Sequence, residues 1–360
     1  MDNLQAARQK IDAIDKEMAQ LFAARMDTVA EVVAYKKQHG LPVLDAGREA
    51  AVIEKNEKYI EKEIYKEYYK DFITHTMSLS RQYQQTLLGQ GVVAYQGVEG
   101  AFSHIALCTL FPHAAAQGHA TWEEVFTAVE SGSAAFGVLP FENSQAGDVA
   151  EVLDLCFAHG CCVRAMVDLP VRQNLLCVPG ASLADVKEVY SHPQAISQCA
   201  RFLKSLHITA TPMDNTAVAA KYVADTADKS KAAIASAQTA QLYGLTVLAP
   251  DISTSAANTT RFIVIGTQPQ AGGSRFSLLF TVPHVAGSLA KVIQEIAALG
   301  YNMESIKSRP MPNTPWEYYF YVEVLGDLTP QRTQQLHTHL QSICKTVRVL
   351  GVYDKTKLEG

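Results

Sequence analysis

The sequence lacks any run of about 18 apolar residues, which removes a membrane-spanning helix. No leader is expected either, since Met1-Asp2-Asn3-Leu4 offers neither a basic stretch nor an apolar one, and a cytoplasmic protein is the expectation. There is no cationic excess, because 31 Lys+Arg against 36 Asp+Glu leave a formal net charge of −5, so nucleic acid is not an expected partner. Seven cysteines stand at 108, 156, 161, 162, 177, 199 and 344, an odd number without C-x-x-C spacing. They read as reduced, mostly buried thiols, and the vicinal pair Cys161-Cys162 reads as core packing rather than a redox device. No Ser-His-Asp set, metal-ligand spacing or phosphate-binding glycine loop occurs. Gly97-Val98-Glu99-Gly100 does not satisfy a dinucleotide fingerprint, so neither a metal nor a cofactor is expected.

Proline is nearly absent from the first 111 residues, where only Pro42 occurs, while the other 13 lie beyond. Charge is concentrated in the same region: residues 1–90 hold 13 basic and 14 acidic side chains. That contrast predicts an all-helical module over 1–90 followed by alternating strands and helices. Leu4, Ala7, Ile11, Ile14, Met18, Leu21, Val29, Val32 and Val33 recur at helical spacing, giving a first helix from about Leu4 to Gln38. At 1.5 Å per residue it is roughly 50 Å long, more than a 90-residue monomer needs, so pairing or exchange of this helix in a dimer or higher oligomer is expected. A second helix should start at Asp45, and a third should run from about Glu61 to Leu88.

From Val92 onward, short apolar runs such as Ala135–Leu139, Leu175–Val178 and Phe262–Ile265 read as buried strands, alternating with helical stretches at Trp122–Glu130, Val149–Ala158, Ala195–Leu206 and Ala237–Tyr243. Residues 267–273 read as a linker. Beyond it, over 274–353, the expected order is strand, helix, two strands, helix, strand, which is an α+β ferredoxin-like arrangement.

Several polar side chains fall on stripes that helical packing would bury. Arg25 and Lys36, eleven residues apart, point almost the same way, and Arg8 is turned from them by roughly a quarter turn. Ser80 and Gln84 are an i, i+4 pair, and Asp45, Arg48 and Glu49 cluster at one helix start. Such a set suits a small anion: arginines can grip carboxylates, Lys36 and Gln84 can donate to an ether or hydroxyl oxygen, and Glu49 can accept from a hydroxyl. Spacing alone leaves open that these are solvated charges on an amphipathic helix.

In order and residue type, Arg8, Arg25, Lys36, Asp45-x-x-Arg48-Glu49 and Ser80-x-x-x-Gln84 resemble the all-helical class of chorismate mutase over residues 4–90. The resemblance implies that arginines hold the two carboxylates of chorismate, with Arg8 supplied by the partner subunit. It also implies that Lys36 and Gln84 bond the breaking ether oxygen and that Glu49 holds the ring hydroxyl. The implied reaction is a rearrangement of chorismate to prephenate and needs neither nucleophile nor metal.

The second module carries loops rich in Gly, Ser, Asn and Thr, each of which taken singly is a turn with a helix cap. Together, Gly97-x-x-Gly100-Ala101-Phe102-Ser103-His104, Pro140-Phe141-Glu142-Asn143-Ser144, Ser191-His192-Pro193-Gln194 and Thr260-Arg261-Phe262 resemble prephenate dehydratase over residues 91–267. That resemblance implies two α/β subdomains, the second at about 171–246, with the site in the cleft between them as in a periplasmic binding protein. The implied chemistry removes carbon dioxide and the ring hydroxyl of prephenate to give phenylpyruvate. Thr260 is then the proton-donating or hydroxyl-orienting group. Ser103, Asn143, Ser144, Ser191, His192 and Phe262 are expected around the substrate, His192 either as an acid or as a structural group. Arg261 either binds a carboxylate or braces its loop. The aminated substrate arogenate, or ligand sensing without chemistry, are the alternatives.

Residues 274–353 are similar to an ACT regulatory domain. Gly287, Ser288 and Leu289 open a helix whose free N–H groups could receive the carboxylate of phenylalanine. The family's Glu-Ser-Arg-Pro signature appears here as Lys307-Ser308-Arg309-Pro310, a charge reversal. The resemblances therefore imply a bifunctional enzyme of phenylalanine biosynthesis, feedback-inhibited by its end product unless the altered signature leaves only a dimerisation module.

Overall fold

The computed structural model describes residues 3–39, 46–87, 91–112, 114–255, 257–269, 272–312, 314–326 and 329–357. The chain forms two compact units, one holding residues through Val92 and the other nearly all of the chain from Val93.

The first unit is helical: α1 (Asn3–His39), α2 (Ala46–Glu57) and α3 (Glu63–Leu87). Both α1 and α2 pack against α3. The buried apolar set among its described residues is small: Val33 on α1 with Ile73 and Met77 on α3. Most of the apolar stripe read from the sequence lies open: Leu4, Ile11, Ile14 and Met18 are exposed and Leu21 is 71% exposed, whereas Val29 is half-buried and Val33 buried. Among the described residues α3 is the helix that packs along α1, and at 25 residues against 37 it is too short to cover that whole face. The third helix starts two residues later than expected, after a bend at Lys62.

The second unit contains three sheets. The first has the order β16-β5-β11-β3-β1-β2, built from β1 (Val93–Gln96), β2 (Ala116–His119), β3 (Phe136–Asn143), β5 (Cys162–Pro170), β11 (Thr259–Gly266) and β16 (Lys355–Lys357), with the short β4 (Gly147–Asp148) folded back on β3. Around it lie α4 (Phe102–Leu110), α5 (Trp122–Glu130) and α6 (Ala150–Ala158). The second sheet has the order β10-β6-β9-β7-β8: β6 (Asn174–Cys177), β7 (Glu188–Ser191), β8 (Thr209–Pro212), β9 (Lys231–Ala235) and β10 (Thr246–Ala249). Its helices are α7 (Pro193–Gln198), α8 (Ala200–Leu206), α9 (Thr216–Thr226) and α10 (Ala237–Tyr243). The two-sheet α/β organisation is the expected one, with one difference. The helix expected over Ala195–Leu206 breaks at Cys199, whose ψ of 8° leaves the helical range.

The third sheet is antiparallel, ordered β13-β14-β12-β15: β12 (Arg275–Thr281), β13 (Asn302–Pro310), β14 (Tyr318–Leu325) and β15 (Thr346–Tyr353). One face carries α11 (Ser288–Ala298) and α12 (Pro330–Gln341) over a core that includes Phe276, Phe280, Val292, Ile296, Val322 and Leu340. The other face joins the first sheet. Gly351 makes this possible, since a Cβ there would lie 2.1 Å from the carbonyl oxygen of Val163 on β5. Arg348 donates 2.6 Å to the carbonyl of His159 and also reaches that of Cys156. The tail after β15 then adds β16 parallel to β5.

Local chemistry explains the helix starts. Thr121 accepts from the Glu124 N–H at 3.2 Å while the Glu124 carboxylate accepts from the Ala120 N–H at 2.9 Å, a capping box. Asn215 caps α9 by accepting from Val218, and Ser236 caps α10 by accepting from Thr239. The His192 ring accepts from the Gln194 N–H ahead of Pro193 at the first turn of α7.

Candidate active sites

In the helical unit, the half-buried Arg25 donates from its guanidinium to Ser80 Oγ, which in turn donates 2.9 Å to the Thr76 carbonyl. Ser80 is 4% exposed and Gln84, one turn on along α3, is 8% exposed. Among the described residues the Gln84 Oε1 has no partner, and an unpaired buried amide oxygen costs about 1–3 kcal/mol, so this position favours a donor group that can complete it. Lys36 is half-buried on the same stripe of α1, whereas Arg8 and Arg48 are exposed. Arg25, Ser80 and Gln84 therefore converge across α1 and α3. Asp45 lies outside the described residues, as does the side chain of Glu49.

In the second unit, a cleft of about 430 Å³ lies between the first and second sheets. Its walls come from strand ends and helix starts: Gln96, Gly97, Phe102 and Ser103; Pro140 and Asn143; His192, Gln194 and Gln198; Asp214, Asn215 and Thr216; and Asn258, Thr260 and Phe262. This is where an α/β sheet offers carboxyl ends of strands and helix N-termini to a ligand.

Asn143 organises the cleft. Its Nδ2 donates 2.9 Å to Thr260 Oγ1 and 2.9 Å to Asn258 Oδ1, while its Oδ1 accepts from the N–H groups of Gln145 and Ala146, each at 3.0 Å. Asn258 passes the chain on, donating 3.1 Å to Gln198 Oε1. Thr260 and Asn143 are also register partners across β11 and β3, so main-chain pairing sets this distance. Because Asn143 donates to Thr260 Oγ1, the threonine hydroxyl proton is left to point elsewhere.

The expected site residues divide. Ser103, Asn143, His192, Thr260 and Phe262 line the cleft. Ser144 is tied to the adjoining loop, donating to the Ala257 carbonyl at 3.1 Å and accepting from the Thr259 N–H at 3.0 Å. Ser191 is fully buried and donates 2.7 Å to the Ile234 carbonyl, away from the lining. Arg261 also lies off the lining, because neighbouring side chains on a strand point to opposite faces. Its Nε donates to Asp168 and its NH1 to Glu142, both at 3.0 Å, with Glu323 at 3.9 Å. Burial alone would depress its basicity, but those three carboxylates together raise it. Of the two roles left open for Arg261, bracing agrees with this placement and carboxylate binding does not.

Gln173 and Trp122, which the sequence reading passed over, also line the cleft. The Gln173 Oε1 and the Trp122 indole N–H are both buried without a partner. Neither belongs to a loop motif, and only the fold brings them there. Gln198 had a local signal, since it lies one turn after Gln194 on α7.

The third sheet carries a smaller cavity of about 260 Å³ at the start of α11, lined by residues that include Pro283, Val285, Ser288, Leu289, Glu317 and Phe320. Gly287 precedes the helix with φ of 82°, a left-handed conformation that favours glycine. Arg309 lies elsewhere: it donates to both oxygens of Asp154 at 2.9 and 2.5 Å, and the Tyr319 hydroxyl donates 2.6 Å to the same carboxylate. Ser308 lies between Lys307 and Arg309 on β13, in register with Phe320, and does not line the cavity. Among the described residues no group of three or more His, Cys, Asp or Glu side chains could hold a metal. No helix there is long and apolar enough to cross a membrane.

Comparison with known proteins gives the family of each region. The chorismate mutase type II family matches residues 7–85, and the prephenate dehydratase family matches residues 93–270. A bifunctional chorismate mutase/prephenate dehydratase of Aquifex aeolicus is 30% identical over the whole of both chains. Arogenate dehydratase 2 of Petunia hybrida is 34% identical over 279 residues, covering 72% of this chain and 71% of its own. Among solved structures, the prephenate dehydratase of Arthrobacter aurescens in complex with L-Phe superposes with a TM-score of 0.66 at 25% identity, covering 73% of this chain and 90% of that one. A helical unit with a converging arginine, serine and glutamine, followed by a two-sheet cleft centred on Asn143 and Thr260, thus belongs to the bifunctional chorismate mutase/prephenate dehydratase family of phenylalanine biosynthesis.

Proposed function

We propose that the helical unit binds chorismate among Arg25, Lys36, Ser80 and Gln84. Asp45, Arg48 and Glu49 add contacts from the start of α2, and Arg8 is contributed by a second copy. The reading is supported by the Arg25–Ser80 contact, by the burial of Gln84 one turn beyond Ser80 and by the exposed position of Arg8 on a helix much of whose apolar stripe is exposed. A pericyclic rearrangement needs its substrate held in a compact conformer and needs donors where charge grows on the ether oxygen. Lys36 and Gln84 fill the donor role, Gln84 through its amide nitrogen. Pairing of α1 between copies makes the mutase a homodimer or part of a higher oligomer, and both steps run in the cytoplasm.

Prephenate then binds in the cleft, with Thr260 donating its hydroxyl proton to the ring hydroxyl, which departs as water while carbon dioxide leaves and the electrons of the broken C–C bond make the ring aromatic. Thr260 takes its proton back from solvent. A threonine is a weak acid and needs polarisation, which the Asn143 amide supplies by donating to Oγ1 at 2.9 Å. That hydrogen bond is the observation that carries this reading. The N-terminal turns of α4 and α9, which line the cleft, receive the carboxylates. Residues 274–353 act as an ACT domain that senses phenylalanine at the start of α11, through Ser288, Leu289 and the turn at Gly287.

The test is phenylpyruvate formation by the whole protein given chorismate or prephenate, each with and without phenylalanine. Product from both substrates, suppressed by phenylalanine, supports all three roles. Turnover indifferent to phenylalanine removes the sensor alone, and absence of product from prephenate removes the dehydratase assignment of the cleft. A second substrate, arogenate, is favoured by one observation: among the described residues no Lys or Arg lines the cleft, whereas Asp214 does, and a carboxylate there suits an ammonium group better than a ketone. A ratio of kcat/KM for arogenate over prephenate above one decides for it.

A further inference from the structure

We infer that Lys307, on β13 of the third sheet, is a positioning residue for the dehydratase: it neutralises the opposed carboxylates of Glu142 and Asp148 and so holds the β3–β4 hairpin that aims Asn143 at Thr260. The inference rests on reading Thr260 as the group that acts on the ring hydroxyl.

The hairpin is short and electrostatically ill-matched. Glu142 and Asp148 are direct cross-strand partners, and like charges placed opposite each other destabilise an antiparallel pair. β4 contributes only two residues, so little main-chain pairing is available to offset that repulsion. The only other pair, Asn143 with Gly147, is the one that serves the cleft. The Asn143 amide oxygen gathers the N–H groups of Gln145 and Ala146 at the hairpin tip while its nitrogen faces Thr260. Pairing of β3 with β11 keeps the main chain of Asn143 opposite Thr260, but splaying of the hairpin withdraws the N–H groups of Gln145 and Ala146 that fix the amide, and so frees its nitrogen to turn away from the threonine.

Lys307 supplies what is missing. Its ammonium bonds Asp148, lies 3.3 Å from Glu142 and sits 5.1 Å from the centre of the Phe141 ring. Its side chain is only 10% exposed, against 33% for Glu142 and 41% for Asp148, so a largely covered ammonium meets two carboxylates that still touch solvent. Glu142 also accepts from Arg261 at 3.0 Å, and Arg261 stands opposite Glu142 as Thr260 stands opposite Asn143. Two neighbouring cross-strand pairs thus point to opposite faces of one sheet: Asn143–Thr260 into the cleft, and Glu142–Arg261 toward the third sheet. The third sheet grips the back of the pair that the chemistry uses. A lysine in place of the family's glutamate is what this hairpin requires, because a glutamate at 307 would set a third carboxylate against the other two.

The experiment is a charge swap in the full-length protein, with the dehydratase assayed on prephenate and the mutase on chorismate as an internal measure of intact protein. Lys307→Glu should lower dehydratase kcat by about tenfold or more with KM changed less than about twofold, since a misplaced polarising group costs rate rather than binding. Adding Asp148→Lys to Lys307→Glu should bring kcat back to within about threefold of the parent, which a merely packing role for Lys307 would not do. Parental kcat in Lys307→Glu overturns the inference, as does a folded double variant without recovery. Should Lys307→Glu fail to fold, Lys307→Met in the parent and in an Asp148→Asn background replaces it; equal losses in both backgrounds overturn the inference. Thr260→Ala separates the two claims. If it keeps turnover, the reading of the site fails; if it is inactive while Lys307→Glu is parental, only the role of Lys307 fails.

Discussion

The two units solve opposite problems. In the helical unit, among the described residues, the polar groups that face one another are few and much of the apolar surface of α1 is exposed, which the proposed pairing of two copies would complete. In the second unit the polar groups at the centre of the cleft are wired to one another: Asn143 donates to Asn258 and Thr260, Asn258 donates to Gln198, and Lys307 and Glu323 of the third sheet reach the strands that carry them. A site shared between copies should be sensitive to assembly, whereas a site wired through its own sheets should be sensitive to single hydrogen bonds. Substitution can break that contrast at either end.

The largest effect is expected at Thr260. Thr260→Ala should lower dehydration of prephenate by about 10²–10⁴-fold, the range of a lost acid–base group, while chorismate consumption stays at the parental rate. Thr260→Ser, which keeps the hydroxyl, should retain most of the activity. If the alanine variant turns over prephenate within tenfold of the parent, the proton-donor assignment is wrong. Arg25→Ala should cost the mutase about 10²–10³-fold and leave dehydration of added prephenate unchanged. Loss of both activities in a folded Arg25→Ala protein would sink the idea of two separate sites.

Assembly distinguishes the units next. Leu21→Asp places a charge on the exposed stripe of α1, so it should weaken self-association by about tenfold or more, read as a sedimentation coefficient that falls on dilution. Mutase activity should fall in parallel, through loss of the partner's Arg8. Dehydratase activity at the same dilution should hold, and a dehydratase that declines with the mutase would erase the contrast between the units.

Much of the fold was legible because period and punctuation agree. The helix over Trp122–Glu130 has its apolar spacing, its Thr121 cap and its Glu124 capping partner within four residues. The strand–helix order of 275–353 likewise follows from alternating runs broken by glycine and proline. Less legible were strands whose reason for being is distant. β5 mixes Arg164 and Asp168 with apolar residues, and its charges make sense only because Arg261 of β11 and the tail at Lys355 lie beside Asp168. β16 is three residues with two lysines, a segment that pairs only because β15 delivers it to the edge of another sheet. In the cleft, Thr260 and Asn143 could be named from their motifs. Their hydrogen bond needs the register of β3 against β11, and the unpaired Gln173 and Trp122 need the whole fold.

The joint between the first and third sheets offers a steric prediction. Gly351→Val would drive a side chain into the Val163 carbonyl, so overpacking of about 1–3 kcal/mol is expected, seen as a lower melting temperature. Dehydratase activity should fall near the new transition while the helical unit keeps its own. A variant as stable as the parent would mean that β15 and β5 can separate without cost, and that the third sheet braces the cleft less than its contacts imply.

The smallest effect lies at the same joint and depends on pH. Asp154 accepts from Arg309 and Tyr319, and the arginine hydrogen bond leads in holding its carboxyl below the ordinary 3.8, against the upward pull of burial. A carboxyl whose folded value lies below its unfolded one binds its proton more tightly when unfolded. Its contribution is therefore whole above the unfolded value of 3.8 and is lost as pH falls through the lower folded one. The pair is partly open to solvent, with side-chain exposures of 32% and 36%, which keeps the effect modest. Asp154→Asn should lower the melting temperature by about 1–3 °C at pH 7, and the gap to the parent should close between about pH 4 and pH 2. A gap that persists unchanged at pH 2 would assign the loss to shape rather than charge. The joint would then be a packed surface like the core of the third sheet, and not the ionic seam that its arginines, lysine and carboxylates describe.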